Sequence, residues 1–530
     1  MEQTSDWTGR SACALQAASR LSNESFAERL GIAVRTVATW HQKPNLRPKS
    51  EMQQLLDTAL EQASPSVRER FAALTSGSSD DERARSDGER DEAVTEAEQR
   101  LSSDQNIVAA LDWLDRQSGW QPGTARRKTA ARLVGQNAHS LQDRGKRRGR
   151  VNQRDIARAL SEYYGDRTGS YGLYGATCGR DAGITSSVLT CPEWLDLDAS
   201  LVAANDRLTV TRAAMDSSRS LDAEAAEHAV ERLTETLTLG TRLVDMPLYR
   251  LLGTKISKGL ISGSVGIAHF VEYALTADLL EGELVDALAS GNATQPGALP
   301  LRDKYLPNLD AVLDLPGRLC AGGTLALCAI ARPASPYRGE ADYLLLVQER
   351  SGHVVNAARS LAVTPKGFHQ PLTDPRSDAQ VGATLRRELE EELFGREEID
   401  NTVGDQRKAD PMHPSRLSGP MRWITEHPEC VRTECTGFGF SLVSGNFEFP
   451  ALIVVEDEEF WERYGGQIEA NWESSNLRQY SSLDRELLTE LVHDVAWSNE
   501  GLFAFLQGLR RLSELGGERV ALPDVEWEMR

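Results

Sequence analysis

Residues 76–100, SGSSDDERARSDGERDEAVTEAEQR, contain almost no large apolar side chain and carry many charges of both signs. A stretch with so little apolar surface cannot contribute to a hydrophobic core, so it is either a linker or a solvated helix. It therefore separates a short N-terminal part, residues 1–75, from everything that follows. The chain has 530 residues, which is too long for one core, and we expect about three or four domains.

The composition argues against several classes of protein. A formal net charge of −20 disfavours a protein that coats nucleic acid without specificity, although it leaves room for a small, locally basic domain. No uninterrupted apolar run reaches the roughly 18 residues that a membrane span needs, and the first residues lack the basic and apolar regions of a signal peptide. The seven cysteines form no CxxC pair. We expect a cytoplasmic protein with no membrane contact.

Residues 23–42, NESFAERLGIAVRTVATWHQ, have the features of two short helices that meet at a tight turn. Ala27 is small enough for the close contact between the helices, and Gly31 can adopt the backbone conformation of the turn. The apolar residues that would pack the two helices together are Phe26, Leu30, Ile32, Val37 and Trp40.

This stretch resembles the helix-turn-helix of XRE/Cro-type bacterial regulators, over roughly residues 10–70. In that family the second helix enters the major groove and its first residues read the base edges. The alternative is a two-helix packing element that does not contact DNA. The resemblance implies base contacts from Arg35, Thr36 and Thr39, with Arg35 against a guanine, and phosphate contacts from Lys43 and Arg47.

A second basic stretch lies within the mixed segment 101–225. Residues 126–158 carry eleven Lys or Arg residues and two acidic ones, which is typical of a surface that contacts phosphates. Arg147, Arg148 and Arg150 are its candidates for DNA contact in a second binding module. The alternative is a basic loop that neutralises acidic neighbours.

The rest of the chain changes in character at about residue 315. Helical spacing predominates over residues 226–314, which we expect to be mainly helical and to support dimerisation, with the glycines of SGSVGIAH packed between helices. From 315 to 530, short β-type runs such as GTLALCAIARP and DYLLLVQERS surround one acidic helix, and GLFAFLQGLRRLSEL predicts a closing helix. That order predicts a layered domain of mixed α and β structure.

The acidic helix reads RRELEEELFG over residues 386–395. Glu388, Glu391 and Glu392 have i, i+3, i+4 spacing and share one face, whereas leucines line another. Carboxylates gathered on one face repel one another, so they need a cation, basic partners or solvent. A hard cation such as Mg²⁺ prefers oxygen ligands of this kind.

With its surroundings, this stretch resembles the Nudix box, whose core reads R-E-apolar-x-E-E-x-G. Arg387, Glu388, Leu389, Glu391 and Glu392 match that core, and TPKGF supplies the upstream Pro-Gly loop. The resemblance implies an α/β/α sandwich over about residues 320–515. It also implies that Glu388, Glu391 and Glu392 hold Mg²⁺ for diphosphate cleavage, with Arg387 orienting a glutamate.

The sequence departs from the Nudix pattern at three places. Phe394 stands where the family has glycine, and Gly395 follows one residue late. Thr373 stands where the family has an upstream glutamate, and the loop before Arg387 is about six residues longer than the pattern. Three readings therefore remain open: an active hydrolase, a sensor or inactive scaffold, and an unrelated acidic helix.

Together these features predict a multidomain chain of α and α+β structure. It would combine an N-terminal all-α helix-turn-helix, a mainly helical middle region and a C-terminal Nudix-like α/β/α sandwich. The corresponding function is a homodimeric transcriptional regulator that binds operator DNA and senses a small metabolite, with a nucleotide-related compound as the candidate. The alternative is a Mg²⁺-dependent Nudix hydrolase acting on a nucleoside-diphosphate-type substrate.

Overall fold

The computed structural model describes residues 7–165, 169–179, 183–211, 221–241, 243–350, 360–394, 412–468 and 474–530. The chain forms two compact units, Met1–Ala97 and Glu98–Arg530. The first is helical and the second has mixed α and β structure. Within the described residues, no helix has the length and apolar character needed to cross a membrane.

Polar caps and a glycine define the helices of the first unit. The hydroxyl of Thr8 accepts the Ser11 N–H, and the hydroxyl of Ser11 accepts the Thr8 N–H, which forms a capping box. Gly31, with φ of 68°, ends the second helix in the left-handed conformation that suits glycine. The helices are α1 (Gly9–Ser19), α2 (Asn23–Leu30), α3 (Val34–Gln42), α4 (Ser50–Glu61) and α5 (Pro65–Leu101).

The apolar residues predicted to join α2 and α3 share one core. Ala27 is buried at the contact, as its small size requires. The same core holds Leu15 and Phe71, so α1 and α5 also contribute to it. The other predicted members are buried or packed at its edge: Phe26, Leu30, Ile32, Val37 and Trp40.

The second unit contains the remaining helices. Most are short and lie between strands. They are α6 (Gln105–Gln117), α7 (Thr124–Gly135), α8 (Ala138–Arg148), α9 (Gln153–Tyr164), α10 (Ala223–Leu239), α11 (Phe270–Ala274), α12 (Leu279–Ala289), α13 (Pro300–Tyr305), α14 (Leu309–Leu313), α15 (Val381–Leu393), α16 (Gly419–Glu426), α17 (Glu458–Tyr464), α18 (Arg485–Val492) and α19 (Asn499–Leu515).

The strands of the second unit form two sheets. They are β1 (Gly172–Cys178), β2 (Ile184–Thr190), β3 (Leu195–Ser200), β4 (Asp206–Val210), β5 (Pro247–Ser257), β6 (Leu260–His269), β7 (Gly322–Arg332), β8 (Asp342–Arg350), β9 (Leu361–Val363), β10 (Lys366–Phe368), β11 (Val431–Gly437), β12 (Gly439–Ser441), β13 (Asn446–Val455), β14 (Ser474–Ser481) and β15 (Val525–Met529).

The larger sheet has the order β14-β8-β7-β13-β12-β2-β1-β15, with β9, β10, β11 and β3 paired alongside. Strands β7 and β13 are parallel, and the other pairs in this sheet are antiparallel. The smaller sheet has the order β4-β6-β5. Strands β1 to β3 share this sheet with β7 to β15. The predicted segments 101–225, 226–314 and 315–530 all belong to the second compact unit.

The prediction of a mainly helical middle region was wrong for residues 247–269. These residues form β5 and β6, an antiparallel hairpin that turns through Lys258 and Gly259, where Gly259 has φ of 76°. The glycines of SGSVGIAH serve strand pairing instead of helix packing. A Cβ on Gly263 would lie 2.3 Å from the carbonyl oxygen of Gly253 on the neighbouring strand.

The larger sheet lies between α15 and α19. Successive residues of a strand point to opposite faces, and β7 shows this pattern. Leu327 belongs to the apolar cluster that contains Phe503 of α19. Cys328 belongs to the cluster that contains Leu385 and Leu389 of α15. The acidic helix and the closing helix predicted from the sequence therefore pack on opposite faces of one sheet.

Candidate functional site

Helix α15 is held against the sheet by its leucines and by an approach that only glycine permits. Leu385, Leu389 and Leu393 are buried in the core beneath the helix. On another face, Glu388 lies against Gly367 of β10. A Cβ on Gly367 would lie 2.1 Å from the carboxyl carbon of Glu388. The Pro-Gly loop predicted from TPKGF thus brings the strand backbone directly onto the carboxylate.

Arg387 and Glu388 form a buried ion pair. The guanidinium Nη2 of Arg387 donates to Oε1 of Glu388 at 2.6 Å, and both side chains are less than a tenth exposed. Burial opposes the charge of Arg387, but the neighbouring Glu388 and Glu391 outweigh it and raise the pKa of the guanidinium. The nearest oxygen of Glu391 is 4.0 Å from Nε of Arg387. The helix therefore carries its own counter-charge.

Glu392 is bound by donors from the sheet. Its carboxylate accepts hydrogen bonds from the Thr364 hydroxyl at 3.0 Å, from the Lys366 N–H at 2.8 Å and from the Gln348 amide at 3.4 Å. A carboxylate that accepts several hydrogen bonds is stabilised in place without a cation. In this arrangement Glu392 joins α15 to β8 and to the loop that carries β10.

The three glutamates do not converge as a set of metal ligands. Glu388 is paired with Arg387, Glu392 accepts protein donors, and Glu391 faces the Arg387 guanidinium. Throughout the part of the chain that the structure describes, no three His, Cys, Asp or Glu side chains are grouped so that they could hold a metal ion. The donor set as placed does not fit the Mg²⁺ expected from the Nudix pattern, so we assign no catalytic step to that ion.

The remodelled loop before α15 is organised by a residue that the Nudix pattern does not contain. One carboxylate oxygen of Asp378 accepts the backbone N–H groups of Leu372, Thr373 and Asp374 at 2.8–3.1 Å. Thr373, in the position of the family's glutamate, is exposed. At the other end of the helix, Phe394 is half-buried, and Gly395 lies outside the described residues.

A second group of charged residues lies beyond β10. The ammonium of Lys366 donates to Oε1 of Glu500, the second residue of α19, at 2.7 Å. Burial opposes the charge of Glu500, but Lys366 and nearby donors outweigh it and lower the pKa of its carboxyl. Lys366 therefore connects the acidic helix, through its main-chain N–H, with the first turn of α19.

Glu500 also lines a large cavity. The cavity has a volume of about 1610 Å³ and lies between α8, α10, α12, the first residues of α9 and α19, and the ends of β12 and β13. Eight Asp or Glu and five Lys or Arg side chains line it. The cavity is thus a charged chamber within the second unit.

Three acids of the cavity are incompletely paired. Among the described residues, the carboxylates of Glu281 and Glu448 have no hydrogen-bond or ion-pair partner, and Oδ1 of Asp278 is buried without one. Burial, with Asp278 and Glu500 nearby, raises the pKa of Glu281 to about 8. Burial also raises the pKa of Glu448 well above its usual range, and Glu500 adds to the effect.

The predicted basic stretch contributes to the cavity wall. Arg148 donates to Asp286 at 2.5 Å and to Glu235 at 3.1 Å, so its guanidinium is held by acids of α12 and α10. Arg147 and Arg150 are exposed. Of the three residues predicted to contact DNA, one therefore acts within the fold, as the alternative interpretation of this stretch expected.

The residues predicted to read DNA lie on α3 or just beyond it. Arg35 is exposed at its first turn, and Thr36 and Thr39 are half-buried. The Thr39 hydroxyl donates to the carbonyl of Arg35 at 2.7 Å. Lys43, at the end of α3, and Arg47 are exposed. The five residues are thus on or next to one helix of the first unit.

The cavity acids were not predicted from the sequence. Glu448 is a single acid inside the apolar strand NFEFPALIVV, and such a charge is a usable signal of a buried polar site. Glu281 stands in LLEGELVDAL and has the spacing of an ordinary helix surface. Only the packing of α12 against α8, α9 and α10 places it in the cavity wall.

No protein-family model matches the chain, and no curated protein matches it either.

Proposed function

We propose that this chain is a DNA-binding transcriptional regulator whose second unit senses a small molecule. The observation that carries the proposal is the pair α2 and α3. The two helices are joined by Gly31 in the left-handed conformation, they share a buried apolar face, and Arg35 is exposed on the opposite side of α3. That combination is what a recognition helix requires.

In this proposal α3 reads operator DNA. Arg35 bonds bidentately to a guanine, as guanidinium geometry favours, and Thr36 and Thr39 lie on the same side of the helix. Lys43 and Arg47 contact phosphates. A homodimer would place two such helices on a pseudo-palindromic operator, and binding would take place in the cytoplasm.

The basic stretch of residues 126–158 would make fewer phosphate contacts with DNA than its charge suggests. Arg147 and Arg150 are exposed and are retained as proposed phosphate contacts. Arg148 is excluded from that role in the proposal, since its guanidinium is committed to Asp286 and Glu235. A cation that already has two buried partners would have to break them to reach a phosphate.

We further propose that the C-terminal part is a Nudix-like α/β/α sandwich that serves as a sensing scaffold. The placement of α15 and α19 on opposite faces of the sheet supports the sandwich. Glu392 accepts donors of β8, of β10 and of the loop between β9 and β10, which supports a structural role for the Nudix-type helix. The cavity beside Glu500 supplies the space for an effector.

The alternative is a Nudix hydrolase, which the intact Arg387–Glu388 pair favours. The protein is incubated with Mg²⁺ and a panel of nucleoside diphosphate derivatives, and turnover is compared with that of Glu391→Gln and Glu392→Gln. Turnover that these variants abolish would establish the hydrolase and reject a pure sensor. Absence of turnover with every substrate supports the scaffold.

DNA binding is tested with the full chain and a library of random duplexes, followed by affinity measurements on the selected sequence. The double variant Arg35→Ala with Thr39→Ala should weaken specific binding by about 1–3 kcal/mol or more, with little change in binding to unrelated DNA. Arg68→Ala is the matched control, because it removes an exposed arginine from α5 instead. Equal losses in both variants would remove α3 as the recognition helix.

A further inference from the structure

The cavity of the second unit has an excess of carboxylates that the protein does not neutralise. We propose that it binds a protonated aliphatic amine, whose ammonium groups donate to the carboxylates of Glu281, Glu448 and Asp278 in the lining. The effect of the amine on DNA binding rests on the proposed sensing function. The binding of the amine itself does not, because it is measured without DNA.

The cations of the wall are already engaged with other acids. Arg232 donates to Oδ2 of Asp278 at 2.7 Å and leaves Oδ1 without a partner. Arg148 is held by Asp286 and Glu235. Glu281 and Glu448 therefore have no direct ion pair with these arginines. Arg232 and Lys366 act on Glu281 from a distance and lower its pKa, and Lys366 does the same for Glu448, but burial outweighs them.

The other basic residues of the wall do not supply one either. Arg144 is paired with Asp286, and Lys146 lies 3.2 Å from Asp143. Arg150 is exposed. An added cation would therefore find unoccupied acceptors inside the cavity.

Unpaired buried carboxylates are costly, so their presence needs a reason. A buried charge is normally paired or loses its charge through a shifted pKa. Glu448 is 6% exposed and Asp278 is 3% exposed, so neither has ready access to solvent. Burial raises the pKa of both Glu281 and Glu448 and so favours their protonated forms when the cavity contains no cation. A bound ammonium group would let them ionise and accept its hydrogen bonds.

The chamber suits an organic cation better than a metal ion or a phosphate. Its volume of about 1610 Å³ far exceeds that of a single ion. Within the described residues, its acids are not grouped as metal ligands. A diphosphate would meet eight acidic but only five basic side chains in the lining, and the carboxylates that keep their charge would repel it. The same repulsion disfavours the nucleotide-related effector expected from the Nudix pattern.

The remaining lining indicates that the body of the ligand is aliphatic. Leu279, Leu299, Val285 and Val443 line the cavity beside the acids. Apolar side chains next to a few fixed polar groups are the usual composition of a small-molecule site. Methylene groups bearing a terminal ammonium match both parts of this lining. A diamine or polyamine would use more than one of the separate acids.

The test is isothermal titration calorimetry of the full chain with putrescine and with spermidine, at physiological salt. Butanediol serves as the neutral analogue of putrescine, and ADP represents the nucleotide-type effector. We expect saturable binding of at least one amine, with little signal from butanediol or ADP. Butanediol binding as tightly as putrescine, or binding of ADP alone, would overturn the amine assignment.

Variants localise the site. The double variant Glu281→Gln with Glu448→Gln should weaken amine binding by roughly tenfold or more, because it removes charge-assisted acceptors. Glu162→Gln, which removes an exposed acid of α9 away from the cavity, should leave the affinity unchanged. An equal loss in Glu162→Gln would mean that amines are attracted only by the net negative charge, and the site would be rejected.

The folding of the variants and the effect of the amine on DNA binding are measured in separate experiments. Circular dichroism of the glutamine variants shows whether they retain the fold, and a folded variant that binds putrescine at full affinity would reject the site. The DNA affinity of the unmodified chain is then measured with and without the amine. A change supports the sensor, whereas amine binding without a change refutes the regulatory role and leaves the binding site standing.

Discussion

The ammonium of Lys366 lies 2.7 Å from Oε1 of Glu500, while the main-chain N–H of the same lysine donates to Glu392 at 2.8 Å. One residue of β10 therefore contacts both the Nudix-type helix and the first turn of α19. Glu500 in turn lines the cavity with the unpaired acids. The acidic helix and the proposed ligand site are thus linked by a single lysine.

Replacing Lys366 should destabilise the protein, because it leaves a buried carboxylate without its cation. Lys366→Met leaves Glu500 buried without its cation, and we expect the free energy of unfolding to fall by about 3–5 kcal/mol. Urea denaturation of the full chain measures this loss. Adding Glu500→Gln to Lys366→Met should recover much of it, because the orphaned charge is then absent. A double variant as unstable as the single one would show that the loss comes from packing.

The conformation of β10 should not tolerate a larger residue at position 367. Gly367→Ala would place a methyl group 2.1 Å from the Glu388 carboxyl carbon, so the Arg387–Glu388 pair must shift. We expect a loss of about 1–3 kcal/mol in unfolding free energy. Gly466→Ala is the control, since a Cβ there has no neighbour within 4 Å. Similar losses at both positions would contradict the close approach.

Glu448→Gln should stabilise the protein, and the gain should depend on pH. The carboxyl has a raised pKa in the folded state, so folding is penalised once pH exceeds the unfolded pKa of about 4.3. The glutamine removes that penalty. The gain should therefore be small at low pH and grow towards neutral pH, to about 1–3 kcal/mol. Thermal unfolding across this pH range measures it, and a gain independent of pH would argue against the buried carboxyl.

Amine affinity should rise as pH increases through the pKa of Glu281. Burial, Asp278 and Glu500 raise that pKa to about 8, against the opposing effect of Arg232 and Lys366. Below this value, ammonium binding must displace a proton from Glu281. Calorimetry in two buffers of different ionisation enthalpy should detect proton release near neutral pH and less of it at higher pH. In Glu281→Gln the release should be smaller at every pH.

Arg147 and Arg150 should differ from Arg148 in their effects on DNA binding and on stability. Arg147→Ser with Arg150→Ser should lower the slope of log affinity against log salt by about 2 for duplex DNA, with stability unchanged. Arg148→Ser should leave the slope unchanged and cost about 1–3 kcal/mol of stability, because Glu235 and Asp286 each lose one of their arginine partners. A change in slope for Arg148→Ser would show that this arginine reaches DNA after all.

The sequence predicted those helices, turns and strands whose conformation depends mainly on their own residues. The period of the leucines and the glycine at position 31 predicted α15 and the turn between α2 and α3. Short apolar runs predicted β7, β8 and β13. The hairpin over residues 247–269 was missed, because glycine-rich strands have weak alternation and resemble neither period clearly.

The cavity could not be predicted in the same way. Its walls come from α8, α10, α12, β13 and α19, which are far apart along the chain. Local patterns carry no information about which faces of such elements meet. Arg148 illustrates the limit. Its charge suggested a partner outside the protein, whereas its counter-charges lie on two helices that follow much later in the sequence.

The pairing of β1 with β15 has a consequence for synthesis of the protein. Tyr174 on β1 lies opposite Met529 on β15, and β2 pairs with β12. During translation, β1 and β2 leave the ribosome long before β15 and β12 are made, so one edge of each strand stays unpaired until more than 200 later residues have been added. Such long-range closure is slow and leaves strand edges open to aggregation. A nascent chain of this design depends on the α helices made meanwhile, or on chaperones, to protect those edges.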